Sequence, residues 1–140
     1  MHRVAVYASG YFDGFLTAYC VDMSNFLNTA TQYWTTPTAD ANNTYHIATC
    51  AAGYAATGIK AYATAYLDYG LSLQCTALKT GFTQNTIPNS VRSNFDAWCG
   101  ADNVFHDAAC PAGTFVDGVA VYASTYLDCG LQLTCSYISW

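Results

Sequence analysis

Tyrosine and aspartate recur at matched places in this chain. Tyr7, Tyr62 and Tyr122 form one set of equivalent positions, and Tyr11, Tyr66 and Tyr126 form another. Each tyrosine of the second set is followed two residues later by an aspartate: Asp13, Asp68 or Asp128. An aromatic ring offers an apolar face on which the C–H face of a sugar can stack, with a phenol hydroxyl at the rim. A neighbouring carboxylate can accept hydrogen bonds from two vicinal hydroxyls. The pattern therefore points to carbohydrate binding, and equivalent weak sites would gain avidity on a branched or polymeric glycan. The same residues also suit a plain structural role, Tyr in cross-strand pairs and Asp in hairpin turns.

Other chemistry is thinly represented. His46 and His106 are equivalent, each four residues before a cysteine, but neither has convergent partners in the sequence. All nine acidic residues are Asp, scattered and mostly in turn-like surroundings. No nucleophile elbow, phosphate loop or HExxH stretch is present. Three similar copies suit binding or scaffolding better than one asymmetric active site, so we expect no catalysis, no cofactor and no metal.

The seven cysteines carry the next signal. Cys50 and Cys75 are 25 residues apart, as are Cys110 and Cys135, and the two pairs sit at matching positions. The economical assignment is Cys50–Cys75 and Cys110–Cys135. Cys99 and Cys129 have no counterparts and are candidates to pair with each other. Cys20 matches Cys75 and Cys135 but lacks a partner, which predicts a free thiol or an intermolecular bridge. No C-x-x-C pair exists, so a zinc-finger-type site is not expected. Many cysteines with few charges predict a secreted, disulfide-stabilised protein. The sequon Asn42-Asn43-Thr44 makes Asn42 a candidate glycosylation site.

The elements that position these residues are repeats. His46–Leu78 aligns without a gap on His106–Ile138, with 15 of 33 positions identical. Val4–Cys20 aligns on Val119–Cys135, with ten of 17 identical. Three copies result, at about 4–20 (partial), 46–78 and 106–138, and the counterpart of His106–Gly118 in the first copy would fall mostly before Met1. Polar connectors, roughly Val21–Tyr45 and Lys79–Phe105, separate them and should contain strands. Within each copy the period is two: Ile59, Ala61, Ala63 and Ala65 face one way, and Lys60, Tyr62, Thr64 and Tyr66 the other. A turn at Asp68-Tyr69-Gly70 or Asp128-Cys129-Gly130 precedes a second strand, Leu71–Cys75 or Leu131–Cys135. Each copy is thus predicted to be a hairpin with an apolar inner face, its small residues packing at a crowded axis, and a Tyr-rich outer face.

Composition sets the class. The chain has 140 residues, enough for one domain spanning 1–140 with a substantial core. Hydrophobic residues make up 53%, charged residues 9%, and the net charge is −5. That balance excludes a nucleic-acid or anionic-membrane footprint and argues against disorder. No apolar run approaches the roughly 20 residues of a membrane-spanning helix, so no membrane insertion is expected. The opening Met1-His2-Arg3 carries no secretory signal pattern.

The pattern C-x-x-G-x4-G, a strand, then D-x-x-L-x-L-x-C occurs as Cys50, Gly53, Gly58, Asp68, Leu71, Leu73, Cys75. It recurs as Cys110, Gly113, Gly118, Asp128, Leu131, Leu133, Cys135, with Trp98 in the lead-in. This resembles the repeat of the vitelline-membrane outer-layer protein family and, more loosely, jacalin-like repeats. The resemblance implies a three-sheet β-prism with pseudo-threefold symmetry, and carbohydrate binding as the associated activity. The Gly-Trp-Gly-rich lead-ins and acidic groove residues of that family have no match here.

The sequence therefore predicts a secreted all-β protein, a β-prism with a β-trefoil as the alternative, that binds glycans. The alternative function is a self-assembling extracellular structural subunit. In that case Ser136–Trp140 or a connector completes the sheet of the partial copy, or else an open edge or Cys20 joins copies into a homo-oligomer.

Overall fold

The computed structural model describes Met1 and residues 3–8, 16–37, 44–61, 70–88, 91–92, 104–123 and 129–140. The strands are, in chain order, β1 (Arg3–Ala8), β2 (Leu16–Tyr19), β3 (Leu27–Trp34), β4 (Thr44–Thr49), β5 (Tyr54–Ala61) and β6 (Leu71–Leu78). There follow β7 (Thr83–Thr86), β8 (Val91–Arg92), β9 (Val104–Ala109), β10 (Phe115–Ala123) and β11 (Cys129–Ser139). The described residues contain no helix, so the protein is all-β as its period-two patterning predicts.

Each repeat contributes one antiparallel hairpin, and each hairpin anchors its own sheet: β1–β2, β5–β6 and β10–β11. The flanking strands go elsewhere. β4, just ahead of the second hairpin, pairs with β10 of the third, and β9, just ahead of the third, pairs with β1 of the first. β3 pairs with β6, while β7 and β8 pair with β11. The sheets run β2-β1-β9, β3-β6-β5 and β4-β10-β11-β7, with β8 also on β11. The strands immediately ahead of the second and third hairpins, β4 and β9, thus cross to the sheet of another repeat.

This exchange explains the cysteine spacing. Cys50–Cys75 joins the end of β4, in one sheet, to β6 in another, and Cys110–Cys135 joins the end of β9 to β11 in the same way. Both bonds have a sequence separation of 25 and staple neighbouring sheets. Cys20 is a free, exposed thiol. Cys99 lies outside the described residues. The two disulfides fit an oxidising, extracellular environment. None of the described helices or strands includes a helix long and apolar enough to cross a membrane.

The two motif glycines have separate causes. Gly53 and Gly113, at φ +82° and +80°, make the turn that leads from the disulfide cysteine into the hairpin, a conformation that costs any residue with a Cβ. Gly58 and Gly118 follow a register shift in β5 and β10. A Cβ at Gly118 would meet the hydroxyls of Thr134 and Thr49 at 3.1 Å, and one at Gly58 would meet Gln74 Oε1 at 3.0 Å.

The core gathers the inner faces of the sheets. Leu73, Leu131 and Leu133 are fully buried, and Val116, Val119, Val121, Ala48 and Ala108 are nearly so. Leu16 of the partial copy packs against the same cluster, which also takes in Met1. Met1 stands at the position equivalent to Ala56 and Val116: its amide oxygen accepts from Val116 N at 3.0 Å, and its amino group donates to Ala56 O at 3.1 Å.

Three sequence expectations need correction. The predicted turn at Asp128-Cys129-Gly130 does not extend over its last two residues, because Cys129 and Gly130 already belong to β11 and Cys129 stands opposite Tyr122. Ser136–Ser139 does not complete the sheet of the partial copy; it pairs with β7, while β9 closes onto β1. The inner face of the second hairpin is not fully enclosed: Ile59 and Ala61 are only half-buried, while leucines and valines fill the centre of the core. Ala63 and Ala65 lie outside the described residues.

One buried polar network ties two repeats together. Asp117, 2% exposed, sits at the register shift of β10. Its Oδ2 accepts from Gln84 Nε2 at 2.6 Å and from Ser136 Oγ. Gln84 Oε1 in turn accepts from Gly53 N at 2.8 Å. One amide therefore bridges one oxygen of a buried carboxylate in one repeat and a turn N–H in another, while Asp117 Oδ1 is buried without a hydrogen bond among the described residues. Gln84→Ala removes both bonds and is expected to cost about 1–3 kcal/mol, read as a fall in melting temperature. An unchanged melting temperature would mean that the network contributes nothing.

Candidate functional site

Most of the sequence-predicted Tyr/Asp sites fall outside the described residues. Tyr11, Asp13, Tyr62, Tyr66, Asp68, Tyr126 and Asp128 lie outside the described residues, as does Asn42. Tyr7 and Tyr122 are placed on β1 and β10, the inner strands of their sheets. Tyr7 stands opposite Phe105 of β9, and Tyr122 stands opposite Tyr45 of β4. Register thus gives both an aromatic cross-strand neighbour, the arrangement expected of structural sheet tyrosines. His46 is 5% exposed, which suits a scaffold position. Among the described residues no group of His, Cys, Asp or Glu could hold a metal ion.

The structure offers a concave site that the sequence pattern does not mark. It lies at the open end of the β10–β11 hairpin, away from the hairpin tip. Met23 and Phe26, from the turn ahead of β3, meet Phe115 at the start of β10 and Ile138 near the end of β11. The turn at Pro111–Thr114 forms one wall, closed by bonds from Thr114 N and Thr114 Oγ1 to Pro111 O at 3.1 and 2.6 Å. Val21, Asp22 and Trp140 complete an open cleft of about 470 Å³. That volume falls within the 300–1,000 Å³ common for small-molecule sites.

Local chemistry shapes this cleft. Met23 O accepts from Phe26 N and Leu27 N at 2.8 and 3.1 Å, which winds residues 23–27 into a tight turn. The turn sets Phe26 edge-on to Phe82, with centroids 5.2 Å apart, and so fixes one wall. Asp22 Oδ1 accepts from Ser24 N at 2.9 Å, and these bonds from Ser24 hold the carboxyl below the usual carboxylate range. Trp140 is 92% exposed. The cleft therefore combines aromatic faces with an ionised carboxylate at its rim. Spacing could not reveal it, because its walls come from residues more than 80 positions apart in the chain.

A second aromatic surface lies on the outer face of β3-β6-β5. Trp34, Gln74 and Gly58 are aligned across it, and Gln74 Nε2 donates to Gln32 Oε1 at 3.3 Å. Lys60 Nζ sits 4.1 Å from the centre of the Trp34 ring, so a cation already occupies that face.

No family model, curated protein or solved structure matches this chain.

Proposed function

We propose that this protein is a secreted carbohydrate-binding module without catalytic activity, whose sugar site is the cleft beside Asp22, Phe26 and Trp140. The observation that carries this reading is the pairing, in one concave site, of an ionised carboxylate with exposed aromatic surface. The rings offer stacking faces and the carboxylate accepts hydroxyl donors. The proposal includes a β-prism with pseudo-threefold symmetry, like the vitelline-membrane outer-layer family. Three hairpin-centred sheets, the strand exchange between them and the hydrogen bonds joining Met1, Ala56 and Val116 support that arrangement. The two disulfides support secretion.

A glycan array on the disulfide-intact protein, followed by titration calorimetry, tests the site. Trp140→Ala and Asp22→Asn should each weaken sugar binding by about tenfold while leaving the melting temperature unchanged, since both side chains lie at the surface. Loss through Tyr66→Ala and Tyr126→Ala instead would move the site to the hairpin tips. The absence of any sugar binding would overturn the reading. The second reading, a subunit of an extracellular assembly, draws on the exposed Cys20 thiol and on β5 standing at a sheet edge among the described residues.

A further inference from the structure

Three adjacent strands bring a carboxylate, a hydroxyl and a side-chain amide together. β11 lies between β10 and β7. Ser136 of β11 stands opposite Thr86 of β7, and Ile138 stands opposite Gln84. Gln84 and Ser136 are therefore diagonal neighbours on one face of the strand pair. Asp117 of β10 sits at the register shift between Val116 and Gly118, and a shift of this kind re-aims a side chain. Its carboxyl meets Ser136, and both residues are buried. The turn after Cys50 roofs them: Cys50 N donates to Asp117 O at 2.8 Å, and Gly53 N donates to Gln84 Oε1 at 2.8 Å.

Each contact in this cluster has a part to play in acyl transfer. Ser136 Oγ donates to Asp117 Oδ2, which sets a nucleophile against a base. The same carboxylate oxygen accepts from Gln84 Nε2 at 2.6 Å, so it also touches the nitrogen that would leave. The Gly53 N–H on Gln84 Oε1 is a fixed donor at the place where negative charge develops when an amide carbonyl is attacked. Ser136 Oγ lies 3.4 Å from Gln84 Nε2 and 3.2 Å from Thr86 Oγ1. Asp117 Oδ1 is buried without a hydrogen bond, a cost that a purely structural network does not repay. The second repeat supplies the contrast. Thr57 and Thr76 are the equivalents of Asp117 and Ser136. Their hydroxyls are 2.8 Å apart, and Gln32 Nε2 donates to Thr76 Oγ1 at 3.1 Å. A hydroxyl and an amide meet there too, but no carboxylate joins them, and no buried side-chain polar atom of that trio lacks a partner.

We propose that Ser136 and Gln84 close into an intramolecular ester, with Asp117 as the catalytic residue and ammonia as the leaving group. Asp117 Oδ2 takes the hydroxyl proton as Ser136 Oγ bonds to Gln84 Cδ, and the carbonyl electron pair moves onto Oε1 beneath the Gly53 N–H. The pair then returns, the Cδ–Nε2 bond breaks, and Asp117 Oδ2 passes the proton to Nε2, so that ammonia departs. Nothing is oxidised or reduced, and Asp117 ends as it began. The chain loses one ammonia, about 17 Da, and gains a covalent tie between β7 and β11. Holding the two groups in contact replaces a collision between molecules by a step within one, and burial keeps water from the ester. The hydrogen-bond cost expected of Gln84→Ala belongs to the open chain; against the closed chain the same substitution costs more. The tie lies outside the cleft, so it stands whether or not the cleft binds glycans.

Intact-mass spectrometry of the 140-residue protein, folded with its disulfides and then reduced, reads the bond directly. The mass should fall short of the sequence by about 17 Da, one ammonia. Trypsin should then release residues 80–92, which carry Gln84, joined to residues 93–140, which carry Ser136. Hydroxylamine should part the two peptides, because it opens esters and spares amides. Ser136→Ala should show the full mass, and Asp117→Asn should form the bond at least about a hundredfold more slowly. Residues 4–60 and 61–79, which carry Gln32 and Thr76, should separate freely, since their cluster has no base. A wild-type mass equal to that of the sequence would overturn the proposal without reference to any variant. So would a link that survives Ser136→Ala, or a loss of about 18 Da, which is water and would mean an ester between Ser136 and Asp117 instead. A link between 4–60 and 61–79 would deny Asp117 its role.

Discussion

Replacing Cys110 and Cys135 together by alanine should lower the stability of the protein by about 3 kcal/mol, as expected for a closed loop of this length. The paired replacement of Cys50 and Cys75 should cost a similar amount, because the two bonds have the same sequence separation of 25. For a chain of this size each loss corresponds to a fall of about 10 °C in melting temperature. Neither bond joins partners within one sheet. Each fixes a strand lent to one sheet against the hairpin of another, so its loss frees the lent strand from the unit that precedes it. Differential scanning calorimetry of the two double variants, with Cys20→Ser as control, measures the effect. Cys20 is exposed and free, so its replacement should leave the melting temperature of the isolated protein unchanged. A double variant that melts with the parent would show that the staples are idle and that sheet pairing alone holds the lent strands.

Leu133→Ala should cost about 2–5 kcal/mol, the range for a leucine truncated in a core that cannot collapse around the void. Leu133 is fully buried on an inner strand, with Val119 opposite on β10 and Val91 opposite on β8. The strands on both sides are fixed by backbone pairing, so the cavity has little chance to close. Leu133→Met, which nearly conserves volume, should cost under about 1.5 kcal/mol. The position has a built-in comparison. Ala18 is its equivalent in the partial copy and is exposed, so Ala18→Gly should change stability by less than Leu133→Ala does. Chemical denaturation at constant m-value separates these cases. Equal losses at the two positions would contradict the uneven covering of the repeats.

Parts of this organisation were legible in the residues. Alternating Val119, Val121 and Leu131, Leu133 placed those side chains on a common face, because side chains along a strand alternate between two faces. Matched repeat positions paired Cys50 with Cys75 and Cys110 with Cys135, since equivalent residues in equivalent units meet equivalent neighbours. The motif glycines at 53, 58, 113 and 118 were legible as a recurring pattern, but the positive φ of two of them and the crowding at the other two came only from the structure. The turn at Cys129 was misplaced because Gly130 carries a turn signal even though the backbone is already paired there. The cleft gave no such signal. Phe26, Phe115, Ile138 and Trp140 read singly as ordinary apolar residues, and Asp22 followed by Ser24 reads only as a local turn.

The sequence by itself determined that the chain forms hairpins with an inward apolar face in the third copy, and that Cys50 joins Cys75 and Cys110 joins Cys135. Only the tertiary structure decided which hairpin each flanking strand joins. Alternation of side chains records burial, a property of one strand and its two faces. The bonds that hold a strand to its neighbour run between backbone groups that every residue except proline carries alike, so the identity of that neighbour is written in no local pattern.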